Sequence, residues 1–128
     1  MRVLVVDDDD ECRAMFRAVF ESSRATVATA TGACDGVRVF QSFAPEVVVA
    51  DLSMPDEDGY WLMREIGHLA ARAGRRLHAI AVTAYTDRHT MRRAVAAGFH
   101  AYLEKPVDPW ELCAMVASMA RARVETAP

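Results

Sequence analysis

Val47-Val48-Val49-Ala50-Asp51-Leu52-Ser53-Met54-Pro55 sets an unbroken apolar run directly against a carboxylate and a proline-bearing turn. A short β-branched run without polar alternation is what a strand covered on both faces requires. An Asp at its carboxyl end then projects beyond the sheet, where open α/β folds hold their ligands. Four more runs share the apolar character: Val3–Val6, Ala25–Ala30, Ala79–Val82 and Ala101–Leu103. Their starts lie about 20 to 30 residues apart, the length of one βα unit.

The intervening segments carry helical periodicity. Cys12, Met15, Phe16, Val19 and Phe20 form one apolar stripe, and Val37, Phe40 and Phe43 form a second. A third segment opens at Asp58 or Gly59, holds Trp61, Leu62, Glu65, Ile66 and Leu69, and runs out into the loop 72–76. Thr31 is predicted to N-cap the second helix, and Pro45 to separate it from the third strand. Asp87 is predicted to cap the fourth helix, which ends at Gly98. Asp108, Pro109 and Glu111 give the last helix its N-cap, N1 and N3 residues. Five strand–helix alternations predict an α/β fold, a (βα)5 doubly wound parallel sheet with helices on both faces.

Composition agrees. The 128 residues suffice for one domain, with 52% hydrophobic and 26% charged residues, an ordinary globular balance. The expected boundaries are a domain over 1–122 and a frayed tail or linker stub over 123–128. A net charge of −3 is no electrostatic footprint for direct nucleic-acid binding. Cys12, Cys34 and Cys113 form no C-x-x-C pair and are expected to be small buried side chains in a reducing compartment. Met1-Arg2-Val3 runs into an acidic cluster, unlike a signal peptide, and no apolar run approaches the ~20 residues of a membrane span. The expectation is a cytoplasmic domain with no membrane attachment.

Polar residues gather at the strand ends. Asp7 and Asp8 follow the first run, Asp51 the third, Thr83 the fourth and Lys105 the fifth. Lys105 is the only lysine; every other Lys/Arg position is arginine. A compact ammonium meets a single phosphate oxygen better than a planar fork does. Three converging carboxylates repel unless a cation joins them, and hard oxygen donors suit Mg²⁺. A carboxylate in such a site can itself attack phosphorus, while metal and lysine neutralise the equatorial oxygens.

These residues resemble a known family. Asp51-Leu52-Ser53-Met54-Pro55 with Gly59 looks like the phosphoacceptor loop of the response-regulator receiver domain of two-component signalling, in its chemotaxis-regulator-like form. Val3–Asp8 resembles the family's acidic first-strand end, Thr83-Ala84 its hydroxyl-plus-small pair, and 98–106 its closing Lys-Pro motif. The resemblance spans essentially the whole chain and implies the flavodoxin-like strand order 2-1-3-4-5.

It also implies roles. Asp51 would accept a phosphoryl group from a phosphohistidine, and Asp7, Asp8, Asp51 and the Ser53 backbone carbonyl would hold Mg²⁺. Thr83, Ala84 and Lys105 would bind the phosphoryl oxygens, and Thr83 with Tyr102 would switch the face formed by the fourth helix, fifth strand and fifth helix. Ser53 and Tyr85 would flank the attacking water and tune phosphate lifetime, and Lys105–Pro106 would be cis. The implied donor is a sensor histidine kinase or a histidine phosphotransfer protein docking around Ala14, Met15 and Ala18, with the output partner unknown. The domain could stand alone or derive from a hybrid kinase.

Competing readings are plainer or different in kind. Asp9, Asp10 and Glu11 read as the acidic start of the first helix. A haloacid-dehalogenase-like phosphatase would use Asp7 as nucleophile, since Asp7-Asp8-Asp9 contains D-x-D. A phosphorylation-independent pseudo-receiver would bind partners only. Arg72, Arg75, Arg76, Arg92 and Arg93 read as solvated, and His68, His78, His89 and His100 as surface or loop residues. Met15, Met63, Met91, Met115 and Met119 read as core filler. Trp110 fits core packing and a partner surface equally well.

Overall fold

Val3 to Val6 and Val47 to Ala50 have no side turned to water: every one of these side chains is buried. Alternate residues of a strand point to opposite faces, so an all-apolar run calls for a cover on each side. A computed structural model, which describes residues 1–85 and 87–125, supplies both covers. Its strands are β1 (Arg2–Val6), β2 (Thr26–Ala30), β3 (Val47–Asp51), β4 (His78–Thr83) and β5 (Ala101–Glu104). Its helices are α1 (Asp10–Ser22), α2 (Ala33–Phe43), α3 (Gly59–Arg72), α4 (Arg88–Ala97) and α5 (Pro109–Glu125). All four strand pairings are parallel, in the order β2-β1-β3-β4-β5. The doubly wound (βα)5 sheet and its strand order are as the sequence predicts.

Two cores result. On one face Leu4, Val6, Val48, Ala50 and Ala81 pack against Phe40 of α2 and Leu62 and Ile66 of α3. On the other, Val3, Val5, Val49, Ile80 and Val82 pack against Phe16 and Phe20 of α1 and Leu112 and Val116 of α5. The order reversal beside β1 leaves a crevice between the ends of β1 and β3, where the carboxylates emerge.

The starts of α3, α4 and α5 and the end of α4 follow the predicted signals, and α1 gains a cap from an acid read only as part of its acidic start. Asp9 caps α1 by accepting from the amides of Glu11 (2.9 Å) and Cys12 (3.2 Å). Asp58 accepts from Trp61 (2.8 Å), Asp87 from Thr90 (3.0 Å) and Asp108 from Trp110 (2.9 Å). Gly98 ends α4 in the left-handed region, at φ 114°.

The second helix departs from its prediction. Gly32, not Thr31, is the N-cap, and it has no side chain to offer. Asp56, from the β3–α3 loop, accepts instead from the amides of Ala33 (3.2 Å) and Cys34 (3.0 Å). Its oxygens already lie 3.0 and 3.1 Å from where a Cβ on residue 32 would stand. A cap from a distant loop leaves no local sequence signal.

Other side chains also differ from expectation. Cys34 is exposed on the first turn of α2, whereas Cys12 and Cys113 are half-buried between α1 and α5. Met15 is exposed beside the crevice, and so is not core filler. Arg93 is not simply solvated but lies over the Tyr60 ring, with Cζ 4.1 Å from the centroid. Arg75 donates to the Ala44 carbonyl at 2.8 Å, tying the α3–β4 loop to the end of α2. His78 lies in β4 and packs edge-on against His100, with ring centroids 5.4 Å apart. Helix α5 continues to Glu125; the last three residues of the predicted tail, 126–128, lie outside the described residues. Among the described residues no helix is long and apolar enough to cross a membrane.

The amide of Cys34, opposed by partial burial and aided by Glu57 and Ala33, holds the Asp56 carboxyl down at about 2. A carboxyl lowered on folding stabilises the fold above its unfolded value and ceases to do so as pH falls through the folded one. Asp56→Ala should cost about 1 kcal/mol at pH 7, as loss of a solvent-screened helix cap does. In urea melts the difference from wild type should shrink as pH falls from 3.8 to about 2. A pH-independent difference would remove Asp56 from this role.

Candidate functional site

Each strand stops where its next residue would leave the sheet, and the polar residues sit at those stops. The amide of Asp7 still donates to the Ala30 carbonyl (3.2 Å), so β1 fixes its backbone. Asp51 and Thr83 are the last residues of β3 and β4, and Lys105 follows β5, donating its amide to the Thr83 carbonyl at 2.8 Å. Parallel pairing brings all these ends to one edge.

Side chains converge there. Lys105 Nζ lies 3.3 Å from Asp7 Oδ2 and 3.2 Å from Asp51 Oδ2. Carboxylate oxygens of Asp7, Asp8 and Asp51 all fall within 4.8 Å of one another. Asp7 and Asp51 are only 1% and 7% exposed, whereas Asp8 faces solvent. Backbone amides orient the buried pair: Asp9 donates to Asp7 Oδ1 (2.9 Å) and Ser53 to Asp51 Oδ1 (3.1 Å). Each buried carboxylate thus has one oxygen on an amide and the other on the lysine, while Asp8 opens toward water.

Burial is the largest influence on Asp51 and raises its carboxyl; Ser53 and Lys105 pull it down, Asp7 pushes it up, and the net direction is upward. For Lys105, burial pulls downward but Asp51 and Asp7 outweigh it, so the ammonium is held more firmly than usual. The two directions are compatible, because one ammonium shared by two buried carboxylates cannot offset the desolvation and mutual repulsion of both. A second cation would fit. The donors are hard carboxylate oxygens with no sulfur or imidazole in the cluster, the set a divalent cation such as Mg²⁺ takes.

Thr83 lies beside this cluster and is buried, its Oγ1 accepting from the Tyr85 amide at 3.0 Å. Ala84 and Tyr85 are exposed, as is Ser53. Tyr102 is 39% exposed on β5, two residues from the strand end, and Trp110 is 67% exposed, which removes it from the core. Lys105–Pro106 is cis, as predicted. An open cleft of about 620 Å³ runs from Asp8 and Thr83 over Met54 and Pro55 to Tyr60 and Arg93. Gly59 sets the loop after β3: its amide donates to the Leu52 carbonyl (3.0 Å), and a Cβ there would stand 2.5 Å from the Asp51 carbonyl oxygen.

Three contributors escape sequence reasoning. Arg13 donates to the Asp7 carbonyl at 2.8 Å, Asp56 caps α2, and Tyr60 meets α4. Arg13 follows the Asp9 cap by one helical turn, a spacing that could have pointed to it. The other two act across loops.

A carboxyl raised on folding contributes stability below its unfolded value, about 4, which is lost as pH rises through the folded one. Asp51→Asn should therefore be more stable than wild type at pH 7 in chelator-treated solution, with the advantage vanishing below about pH 4. Equal or lower stability of the variant at pH 7 in urea melts would contradict this electrostatic account. Gly59→Ala should cost about 1–3 kcal/mol through the clash with backbone, read in the same melts.

Comparisons with known proteins agree with this geometry. The family model described as the response regulator receiver domain matches residues 3–117. An uncharacterized 14.6 kDa protein from the sodA1 3′ region of Leptolyngbya boryana is 38% identical over 91% of this chain and 87% of its own. The chemotaxis protein CheY of Halobacterium salinarum is 30% identical over 82% of this chain and 84% of its own. The solved CheY-like receiver domain protein of Methanospirillum hungatei JF-1 superposes with a TM-score of 0.89 at 25% identity, covering 98% of each chain. The chain belongs to the response regulator receiver domain family.

Proposed function

We propose that this domain accepts a phosphoryl group on Asp51 from a phosphohistidine and reports it by a change of conformation. The observation that carries the reading is the position of Lys105 Nζ, 3.2 Å from Asp51 and 3.3 Å from Asp7, with the Asp8 oxygens in the same cluster. An oxygen of Asp51 attacks phosphorus, the P–N bond breaks, and its electron pair stays on the departing imidazole. Lys105 pairs with one phosphoryl oxygen and the Thr83 hydroxyl donates to another, with the Ala84 segment close by. Asp7, Asp8, Asp51 and the Ser53 carbonyl would hold Mg²⁺, which supplies positive charge against the phosphoryl oxygens. Asp9, the second acid of the D-x-D string, is spent on capping α1, so a nucleophilic Asp7 would lack the partner acid of that motif, which favours Asp51.

The signal then travels through Thr83. Turning its hydroxyl to the phosphoryl group surrenders the Tyr85 amide and draws the β4–α4 loop inward. Tyr102, exposed here, swings toward the space so vacated, shifting the population of the α4-β5-α5 face. Ser53 and Tyr85 at the cleft rim set access for the hydrolytic water, so the domain ends its own signal but consumes no external metabolite. Ala14, Met15 and Ala18 are exposed on α1 beside the crevice, a surface for the donor, a sensor histidine kinase or histidine phosphotransfer protein in the cytoplasm. The domain would serve alone or as part of a hybrid kinase, with residues 1–122 as the unit.

Incubation with acetyl phosphate and Mg²⁺, followed by intact-mass measurement, should add one phosphoryl group per chain. Asp51→Asn or excess chelator should abolish it. Stoichiometric labelling that persists in Asp51→Asn, or none in wild type, would contradict the proposal.

A further inference from the structure

We infer that Tyr60 is a clasp holding α4 in the conformation of the unmodified domain, and that its two contacts with α4 set how readily the acidic site fills. This rests on the reading of Asp51 as phosphoacceptor and adds a residue on α3 to the control of the switch.

Helix α4 has little else to hold it. Of its residues only Ala94 is buried, with Ala97 partly buried against the same core. Tyr60 compensates from α3. Its hydroxyl donates to the Thr90 carbonyl (3.3 Å) in the first turn of α4, and its ring carries the Arg93 guanidinium at 4.1 Å. Thr90 is in turn fixed by Asp87, which accepts from its amide (3.0 Å) and its hydroxyl (2.7 Å). The anchor is rigid: Tyr60 is buried and follows Gly59, whose backbone is pressed against the Asp51 carbonyl. The clasp thus joins the acceptor loop to α4 by a route that does not pass through Thr83.

The two routes compete. Helix α4 follows Thr83 closely in the chain, so moving the hydroxyl toward Asp51 would displace the first turn of α4. Tyr60 cannot follow, because α3 is locked into the sheet through Leu62 and Ile66. The Tyr60 contacts are present with Thr83 Oγ1 engaged by Tyr85 and Tyr102 exposed, so they belong to the unmodified state. An interaction made in only one of two states shifts the balance toward it, and its loss shifts the balance away. A buried tyrosine serving packing alone would have no such effect.

The test is the affinity for beryllium trifluoride with Mg²⁺, a phosphoryl mimic, by fluorescence titration of wild type, Tyr60→Phe, Arg93→Gln and the double variant. Tyr60→Phe keeps the ring and removes the hydroxyl; Arg93→Gln removes the stacked charge from an exposed position. Each single variant should bind about threefold to tenfold tighter, the scale of one lost hydrogen bond or cation–π contact. The double variant should gain less than the product, since both contacts restrain one helix. Affinities within about twofold of wild type, with only the unfolding midpoint lowered, would overturn the clasp. Should Tyr60→Phe fail to fold, Arg93→Gln decides on the same criterion. A wild-type domain that binds no mimic overturns the phosphoacceptor reading itself, a result distinct from tight but equal binding by all four proteins.

Discussion

One ammonium shared between two buried carboxylates organises the functional end of this molecule. Lys105 reaches Asp7 and Asp51 across the ends of three strands, and only a parallel sheet in this order brings those ends together. The cluster remains under-neutralised, with three carboxylates facing one lysine. A site whose charges are not balanced has favourable energy to gain from a cation and from redistribution of the Asp51 charge, and it concedes some stability for it.

The rest of the fold isolates this tension. Both faces of the sheet are sealed by aliphatic and aromatic residues, so the strand ends are rigid and cannot relax apart. Asp56 and Gly59 pin the loop after β3, one by capping α2 and the other by giving up its side chain. By contrast α4 buries only Ala94 and is joined to α3 by the Tyr60 hydroxyl and the Arg93 stack. On the function proposed above, firmly packed carboxylates beside a helix with a single buried residue would let a local charge change displace a surface.

Much of this was legible in the residues. Val47–Ala50 could only be a doubly covered strand, and Asp7, Asp51, Thr83 and Lys105 at successive strand ends required a shared site once the sheet was parallel. Caps were legible where the capping side chain is local, as at Asp58, Asp87 and Asp108, whereas Asp9 was read only as part of the acidic start of α1. Thr31 was misread because the cap of α2 comes from Asp56, on another loop. The exposure of Met15 and Cys34, and the Tyr60–Arg93 stack, depend on how helices rotate against each other, which periodicity describes only coarsely. Trp110 was undecidable, since one turn into a helix an indole can face either way.

The central claim, that one carboxylate at the tip of the middle strand forms a mixed anhydride with phosphate, has a direct chemical signature. Borohydride reduces an acyl phosphate to the alcohol, so trapping the acetyl phosphate-treated protein should convert residue 51 to homoserine, located by peptide mass mapping. Homoserine at position 51 and nowhere else is the predicted result. Homoserine at another acidic position, or phosphate that survives reduction intact, would contradict the account.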